Sequence, residues 1–151
     1  MSDLRDLYQD VILDHSRSPR NRRRPDPTTH DAEGHNTLCG DQLHVYLQVK
    51  DGMVTDAGFE GSGCAISTAS ASLMTETLKG KSLEEAERIY RLFHEMLTGD
   101  PSQEAEIPEG IGKLEVLSGV REFPVRVKCA TLAWHTAHAA LEGSEEPVST
   151  E

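Results

Sequence analysis

Apolar residues near the start of the chain recur every three or four positions, which predicts an amphipathic helix. Its apolar face consists of Leu4, Leu7, Tyr8, Val11 and Ile12. Pro19 stops the pattern, because a proline removes a helical hydrogen bond. Residues 17–24 are rich in arginine and form either a solvated loop or a docking patch for an acidic partner. Residues 25–34 have the Pro, Thr and Asp composition of a loop.

The next segment has the alternating pattern of a half-buried β-strand. Over residues 42–49 every second side chain is apolar, and Asp51 with Gly52 then forms a strong two-residue hairpin signal. Residues 54–60 read as the returning strand, and residues 34–38 are a candidate third strand.

Two helical patterns occupy the middle of the chain. The first follows Cys64, is rich in small residues that allow close packing, and ends at Gly80. The second begins with a capping box, in which Ser82 is the N-cap and Glu85 lies three residues later. Its apolar face consists of Leu83, Ala86, Ile89, Tyr90, Phe93 and Leu97.

The last part of the chain is expected to end in a helix and a tail. Residues 113–120 could form a short helix, residues 125–129 read as extended, and Cys129 is expected to open the final helix. Without repeats or a composition break, residues 1–143 form one expected domain, and residues 144–151 form a disordered acidic tail.

Charge and composition narrow the function classes. The chain has 151 residues and a net charge of −11, which argues against nucleic acid or an anionic membrane as the main partner. No apolar run reaches the ~18 residues of a membrane span, and the start does not resemble a signal peptide. Three cysteines cannot complete a disulfide framework, so a reducing, cytoplasmic location is expected.

Three cysteines and one aspartate are the candidate site. Cys39 and Asp41 flank a glycine, and Cys64 and Cys129 lie at predicted element boundaries. Three thiolates and a carboxylate suit tetrahedral zinc or one iron–sulfur cluster. Inert buried cysteines and a purely structural zinc site are the alternatives. The histidines at positions 30, 35 and 44 lack comparable spacing and are expected to be ordinary strand or surface residues.

These motifs resemble a known family. The stretches around Cys39, around Cys64 and around Cys129 are similar to the U-type iron–sulfur assembly proteins, the IscU/NifU N-terminal family, and the resemblance extends over residues 4–141. Lys128 stands where IscU has a histidine, and residues 92–122 are longer than in IscU. Both features are similar to the SufU branch of the family.

The resemblance implies an α+β fold in which helices cover one face of a small, three-stranded antiparallel sheet. It also implies a zinc ion held by Cys39, Asp41, Cys64 and Cys129. In this reading the protein is formally a sulfurtransferase that accepts sulfur from a SufS-type cysteine desulfurase and passes it towards a SufBCD-type assembly complex. Cys39 is the expected acceptor, and Cys129 is the second choice because Lys128 could stabilise its thiolate.

Two other functions are compatible with the same residues. The same ligands could bind iron and a transient [2Fe–2S] cluster, which would make the protein an assembly scaffold. Alternatively, the metal could stabilise the fold of a small interaction domain that has no sulfur chemistry.

Overall fold

The computed structural model describes residues 10–36, 40–99, 109–143 and 147–149. Cys39, the first turns of the predicted N-terminal helix and most of the acidic stretch after residue 100 lie outside these described residues. None of the helices in the described ranges has the length and apolar character that a membrane span requires.

An α+β architecture is confirmed by four strands, four α-helices and one 3₁₀ helix among the described residues. In chain order the elements are α1 (Asp10–Arg17), β1 (His30–Asn36), β2 (Asp41–Lys50), β3 (Met53–Ser62), α2 (Ala65–Leu78), α3 (Leu83–Thr98), the 3₁₀ helix (Gly112–Glu122), α4 (Pro124–Glu142) and β4 (Val148–Ser149). Helices α2 and α4 pack against the sheet, α1 packs on α2, and α3 packs on α4 and the 3₁₀ helix.

The sheet has four strands rather than the three antiparallel strands expected. Its order is β3-β2-β1-β4, and β4 pairs with β1 in the parallel direction. The added strand comes from Val148–Ser149, within the stretch expected to form a disordered tail. This pairing depends on the chain returning to the edge of β1 after α4, which no local pattern reveals.

Strand β1 also begins earlier than the sequence suggested. Its inward positions are Ala32, Gly34 and Asn36, which are small or polar and therefore do not give an apolar alternation. Gly34 is required by packing, because a Cβ there would lie 2.1 Å from the Thr136 Oγ1 of α4. A strand that fits closely under a helix thus looks like a loop in the sequence.

Local sequence signals were accurate at the hairpin and at α3. Asp51 and Gly52 both have positive φ, 53° and 74°, as a two-residue hairpin turn between β2 and β3 requires. The Ser82 side chain accepts the Glu85 backbone N–H at 3.1 Å and caps α3. The predicted helix after Cys64 is also present as α2.

Three arginines of the arginine-rich segment, residues 17–24, contact the sheet. Arg23 forms an ion pair with Asp56 at 2.8 Å, and the Arg24 guanidinium lies 5.3 Å from the ring centre of Tyr46. Arg22 donates a hydrogen bond to the Gly61 carbonyl at 2.6 Å. These contacts give residues 22–24 a structural role against β2 and β3.

Candidate metal centre

Cys64 lies at the junction of β3 and α2, where it is the N-cap of the helix. Its Sγ accepts the Ser67 backbone N–H at 3.4 Å, as a capping oxygen would. The hydrogen bond with Cys129 is the largest influence on this thiol and lowers the pKa of Cys64 to about 6, helped by Ser67 and by Arg126. Burial and the Asp41 carboxylate oppose this shift. The thiol is half-buried and therefore reachable from solvent.

Asp41 begins β2 and is 2% exposed. The preceding Gly40 has a φ of 70°, which glycine adopts without strain and which turns the chain into the strand. One carboxylate oxygen, Oδ1, accepts the Cys64 backbone N–H at 2.9 Å. The other, Oδ2, is buried and has no hydrogen-bond partner among the described residues. A buried carboxylate oxygen without a partner is costly unless it binds a cation.

Gly63 provides the space that the carboxylate occupies. A Cβ at this position would lie 2.6 Å from Asp41 Oδ1 and 3.0 Å from Ser67 Oγ. The glycine before Cys64 is thus required by the close approach of β2 to the β3–α2 junction.

Cys129 lies inside α4 rather than at its start. The helix begins at Pro124. Proline suits a first helical position because its fixed φ is helical and because a backbone N–H there would have no partner within the helix. The expectation that residues 125–129 are extended was therefore wrong, and Cys129 is too far into the helix to gain the expected support from its N-terminus. Its side chain is fully buried, and its Sγ donates to the Val125 carbonyl at 3.6 Å.

The ligand atoms of Asp41, Cys64 and Cys129 all lie within 4.8 Å of one another. Tetrahedral zinc with bonds of about 2.3 Å to sulfur places neighbouring sulfurs about 3.8 Å apart, so a small inward movement closes the site. The two thiols and the free carboxylate oxygen therefore fit a zinc or iron ion in donor type and spacing. Cys39 lies outside the described residues, and its place as the fourth ligand stays a prediction.

Lys128 lies on a different face of α4. It is exposed and lines a cavity of about 710 Å³ together with His94, His135 and His138. None of the three described ligand residues lines this cavity. The expected support of Lys128 for the Cys129 thiolate stays a prediction.

Sequence reasoning missed two polar residues beside the thiols. Asn36 is fully buried, and its Nδ2 lies 4.0 Å from Cys129 Sγ. Ser67 is fully buried, and its backbone N–H donates to the capping Cys64 Sγ. Neither residue type suggests a metal site by itself, and only the fold brings them to the cysteines. His44 pairs with Asp31 at 2.6 Å on the sheet.

Comparison with known proteins agrees with this geometry. The profile of the NifU-like N terminal domain matches residues 7–130. The chain is 40% identical over 142 residues to the zinc-dependent sulfurtransferase SufU of Bacillus subtilis, covering 92% of each protein. It is 39% identical over 141 residues to the iron–sulfur cluster assembly scaffold protein IscU of Thermotoga maritima, covering 93% of this chain and 96% of the relative.

Solved structures support the same assignment. The crystal structure of FiSufU from Fervidobacterium islandicum AW-1 superposes with a TM-score of 0.82 at 31% identity, covering 92% of this chain and 99% of the other. The N-terminal NifU-like protein of Brucella abortus superposes with a TM-score of 0.81 at 25% identity, covering 91% and 93%. The resemblance drawn from the cysteine motifs is thus confirmed, and the chain belongs to the NifU-like N-terminal domain family of SufU/IscU-type proteins.

Proposed function

We propose that this protein is a zinc-binding sulfur acceptor in iron–sulfur cluster assembly. The carrying observation is the buried Asp41 Oδ2, which lacks a hydrogen-bond partner among the described residues and shares a site with the sulfurs of Cys64 and Cys129. The relative named a zinc-dependent sulfurtransferase supports the same assignment. The proposed ligand set is Cys39, Asp41, Cys64 and Cys129, held by one domain over residues 1–143 and followed by the 144–151 tail.

Bound zinc would supply a redox-inert Lewis acid that keeps the thiols deprotonated and protected from oxidation. The protein's own residues prepare the site for this role. The hydrogen bond with Cys129, the Ser67 N–H and the positive charge of Arg126 favour the thiolate of Cys64. The bond from the Cys64 N–H to Asp41 Oδ1 joins β2 to α2.

We assign sulfur acceptance to Cys39. Its thiolate attacks the outer sulfur of a desulfurase persulfide, a new S–S bond forms on Cys39, and the desulfurase cysteine leaves as a thiolate. The reaction is an exchange between sulfurs, so it needs no external oxidant or reductant. Cys129 is the second choice, but its fully buried sulfur makes an in-line approach by a partner thiol difficult. Lys128 would act only if Cys129 became exposed.

The partner expected from this function is a SufS-type cysteine desulfurase in the cytoplasm, and the sulfur would pass onward to a SufBCD-type complex. Relatives at about 40% identity include both SufU and IscU proteins, and a role in iron–sulfur assembly is common to both.

The test combines the purified protein with a SufS-type desulfurase, pyridoxal phosphate and cysteine, followed by mass spectrometry of each cysteine peptide. We expect an added sulfur on Cys39 and faster desulfurase turnover. The Cys39→Ser variant should lose both effects and still fold. The absence of any sulfur adduct on Cys39 or Cys129, together with unchanged turnover, would contradict the proposal. If the protein is instead an interaction domain whose zinc only stabilises the fold, Cys39→Ser should lower the Tm and leave desulfurase turnover unchanged.

The second candidate is a scaffold on which a [2Fe–2S] cluster is built, and the 39% identical relative named a scaffold protein favours it. Anaerobic reconstitution with iron and sulfide, followed by transfer to an apo-ferredoxin, tests this role. Metal analysis of the protein as purified separates the candidates, because one equivalent of zinc that iron does not displace would exclude a scaffold.

A further inference from the structure

Buried polar atoms without hydrogen-bond partners concentrate around the candidate metal centre. Five side chains in the described ranges carry such an atom, and three of these residues, Asn36, Asp41 and Ser67, lie next to Cys64 or Cys129. A buried polar group without a partner destabilises the folded state, so proteins rarely keep one that has no further role. Metal binding accounts for the Asp41 oxygen but not for the Asn36 amide.

Asn36 is placed by the same strand pair that places Asp41. It is the last residue of β1, lies opposite Asp41 in the β1–β2 register, and is 0% exposed. Within the described part of the chain its Oδ1 has no partner, and its Nδ2 lies 4.0 Å from Cys129 Sγ. In this orientation the amide N–H, and not the amide oxygen, faces Cys129 as a donor.

We propose that Asn36 is a positioning residue, whose amide N–H binds the Cys129 thiolate and makes this cysteine the permanent ligand of the site. The inference rests on the proposed function only in that Cys129 binds the metal as a thiolate. It assigns different roles to the cysteines, with Cys129 fixed and Cys39, the proposed sulfur acceptor, free to exchange.

Cys129 Sγ accepts the Asn36 N–H in the structure as described. A metal-bound thiolate accepts such an N–H more strongly than a neutral sulfur does, because the hydrogen bond is then charge-assisted. A hydrogen bond to a metal-bound sulfur withdraws electron density from it and holds its orientation. Both effects make Cys129 slower to react than a thiolate without such a donor.

Substitution of Asn36 can distinguish a positioning role from a purely structural one. Leucine has a branched shape similar to that of asparagine and leaves no unpaired polar atoms at a buried site. If Asn36 serves only the fold, Asn36→Leu should not change the reactivity of any cysteine selectively. If it positions Cys129, the variant should keep or raise its melting temperature and yet release Cys129.

The experiment measures the alkylation rate of each cysteine by mass spectrometry in protein loaded with one equivalent of Zn²⁺. In the wild type we expect Cys129 to react slowest. In Asn36→Leu and in Asn36→Asp, which keeps the shape but lacks the N–H donor, Cys129 should react at least about 10-fold faster, while the rate at Cys64 changes less. The control is Ser70→Ala, which removes a buried bond to the Ala130 carbonyl beside Cys129 without touching the sulfur.

A second readout uses Co²⁺ in place of Zn²⁺. Loss of the N–H donor should shift the thiolate-to-cobalt charge-transfer band to lower energy in both Asn36 variants and leave it in place in Ser70→Ala. The inference would be overturned if the alkylation rate of Cys129 were unchanged in the Asn36 variants. It would also be overturned if the rates rose equally at all cysteines, as they would if the whole fold were destabilised. If the wild type takes up neither ion, the proposed function itself fails. If it binds zinc and accepts sulfur but both Asn36 variants behave like Ser70→Ala, the Asn36 inference alone fails.

Discussion

A single methyl group added at Gly63 should disrupt the metal centre. The Cβ of an alanine there would lie 2.6 Å from Asp41 Oδ1, a separation that real Cβ atoms essentially never show. Asp41 is 2% exposed, so its carboxylate has little room to move. The least costly response is a shift that breaks the 2.9 Å bond from the Cys64 N–H and turns Oδ2 away from the sulfurs.

The size of the effect follows from these contacts. A hydrogen bond to a charged group contributes about 1.5–3 kcal/mol, so Gly63→Ala should lower the free energy of unfolding of the metal-free protein by about that amount. For a chain of 151 residues this corresponds to a fall in Tm of roughly 3–10 °C. Displacing a group that orients metal ligands typically costs about 10- to 100-fold in metal affinity, and the same loss is expected for zinc here.

Two measurements on Gly63→Ala test the reasoning. Competition with a chromophoric chelator gives the zinc affinity, and calorimetry in excess chelator gives the Tm of the metal-free protein. The matched control is Ser62→Ala, at an exposed neighbouring position of β3 where a Cβ is already present. A Gly63→Ala protein with the zinc affinity and Tm of the Ser62→Ala control would refute the close approach of Asp41 to this junction.

Three further predictions address the fold. Burial, aided by Arg20, lowers the pKa of His15. The stability that the neutral imidazole gives the fold is therefore fully present above the unfolded pKa of 6.5 and is lost as the pH falls below it, so the Tm should drop between pH 7 and pH 5.5, and less so in His15→Gln. Ser82→Ala should cost about 1 kcal/mol in urea unfolding through loss of the α3 cap, whereas a change near zero would contradict the capping geometry. Deletion of residues 147–151 should speed hydrogen exchange in β1, which pairs with β4, and unchanged exchange would argue against that pairing.

The sequence predicts those features of the fold that a few adjacent residues determine, and misses those that depend on contacts between distant segments. The hairpin at Asp51 and Gly52 and the cap at Ser82 are set by a few adjacent residues, and both were predicted. The start of α4 was missed because Val125 and Val127 alternate like strand residues, although Pro124 just before them is a good first helical residue. The edge strand β4 depends on contacts between distant segments and has no comparable signal.

The candidate site divides in the same way. Asp41, Cys64 and Cys129 were predicted because thiols and a carboxylate at predicted element boundaries are typical metal ligands, and the fold brings them together. Asn36 and Ser67 were missed because asparagine and serine occur everywhere in proteins. Their importance comes only from burial beside the sulfurs, which depends on how β1 and α2 pack against α4.

The elements that carry the proposed ligands differ in how firmly they are packed, and this difference suits the proposed exchange, in which one sulfur is released and another is kept. Cys129 is fully buried in the second turn of a helix that packs on the sheet. Cys64 is half-buried at a helix N-cap. Gly40, next to Cys39 in the chain, is exposed, has a φ of 70°, and has no described atom within 4 Å of where a Cβ would lie. The backbone beside Cys39 can therefore move at lower cost than the helix around Cys129, so exchange is expected at Cys39 while the core keeps its packing.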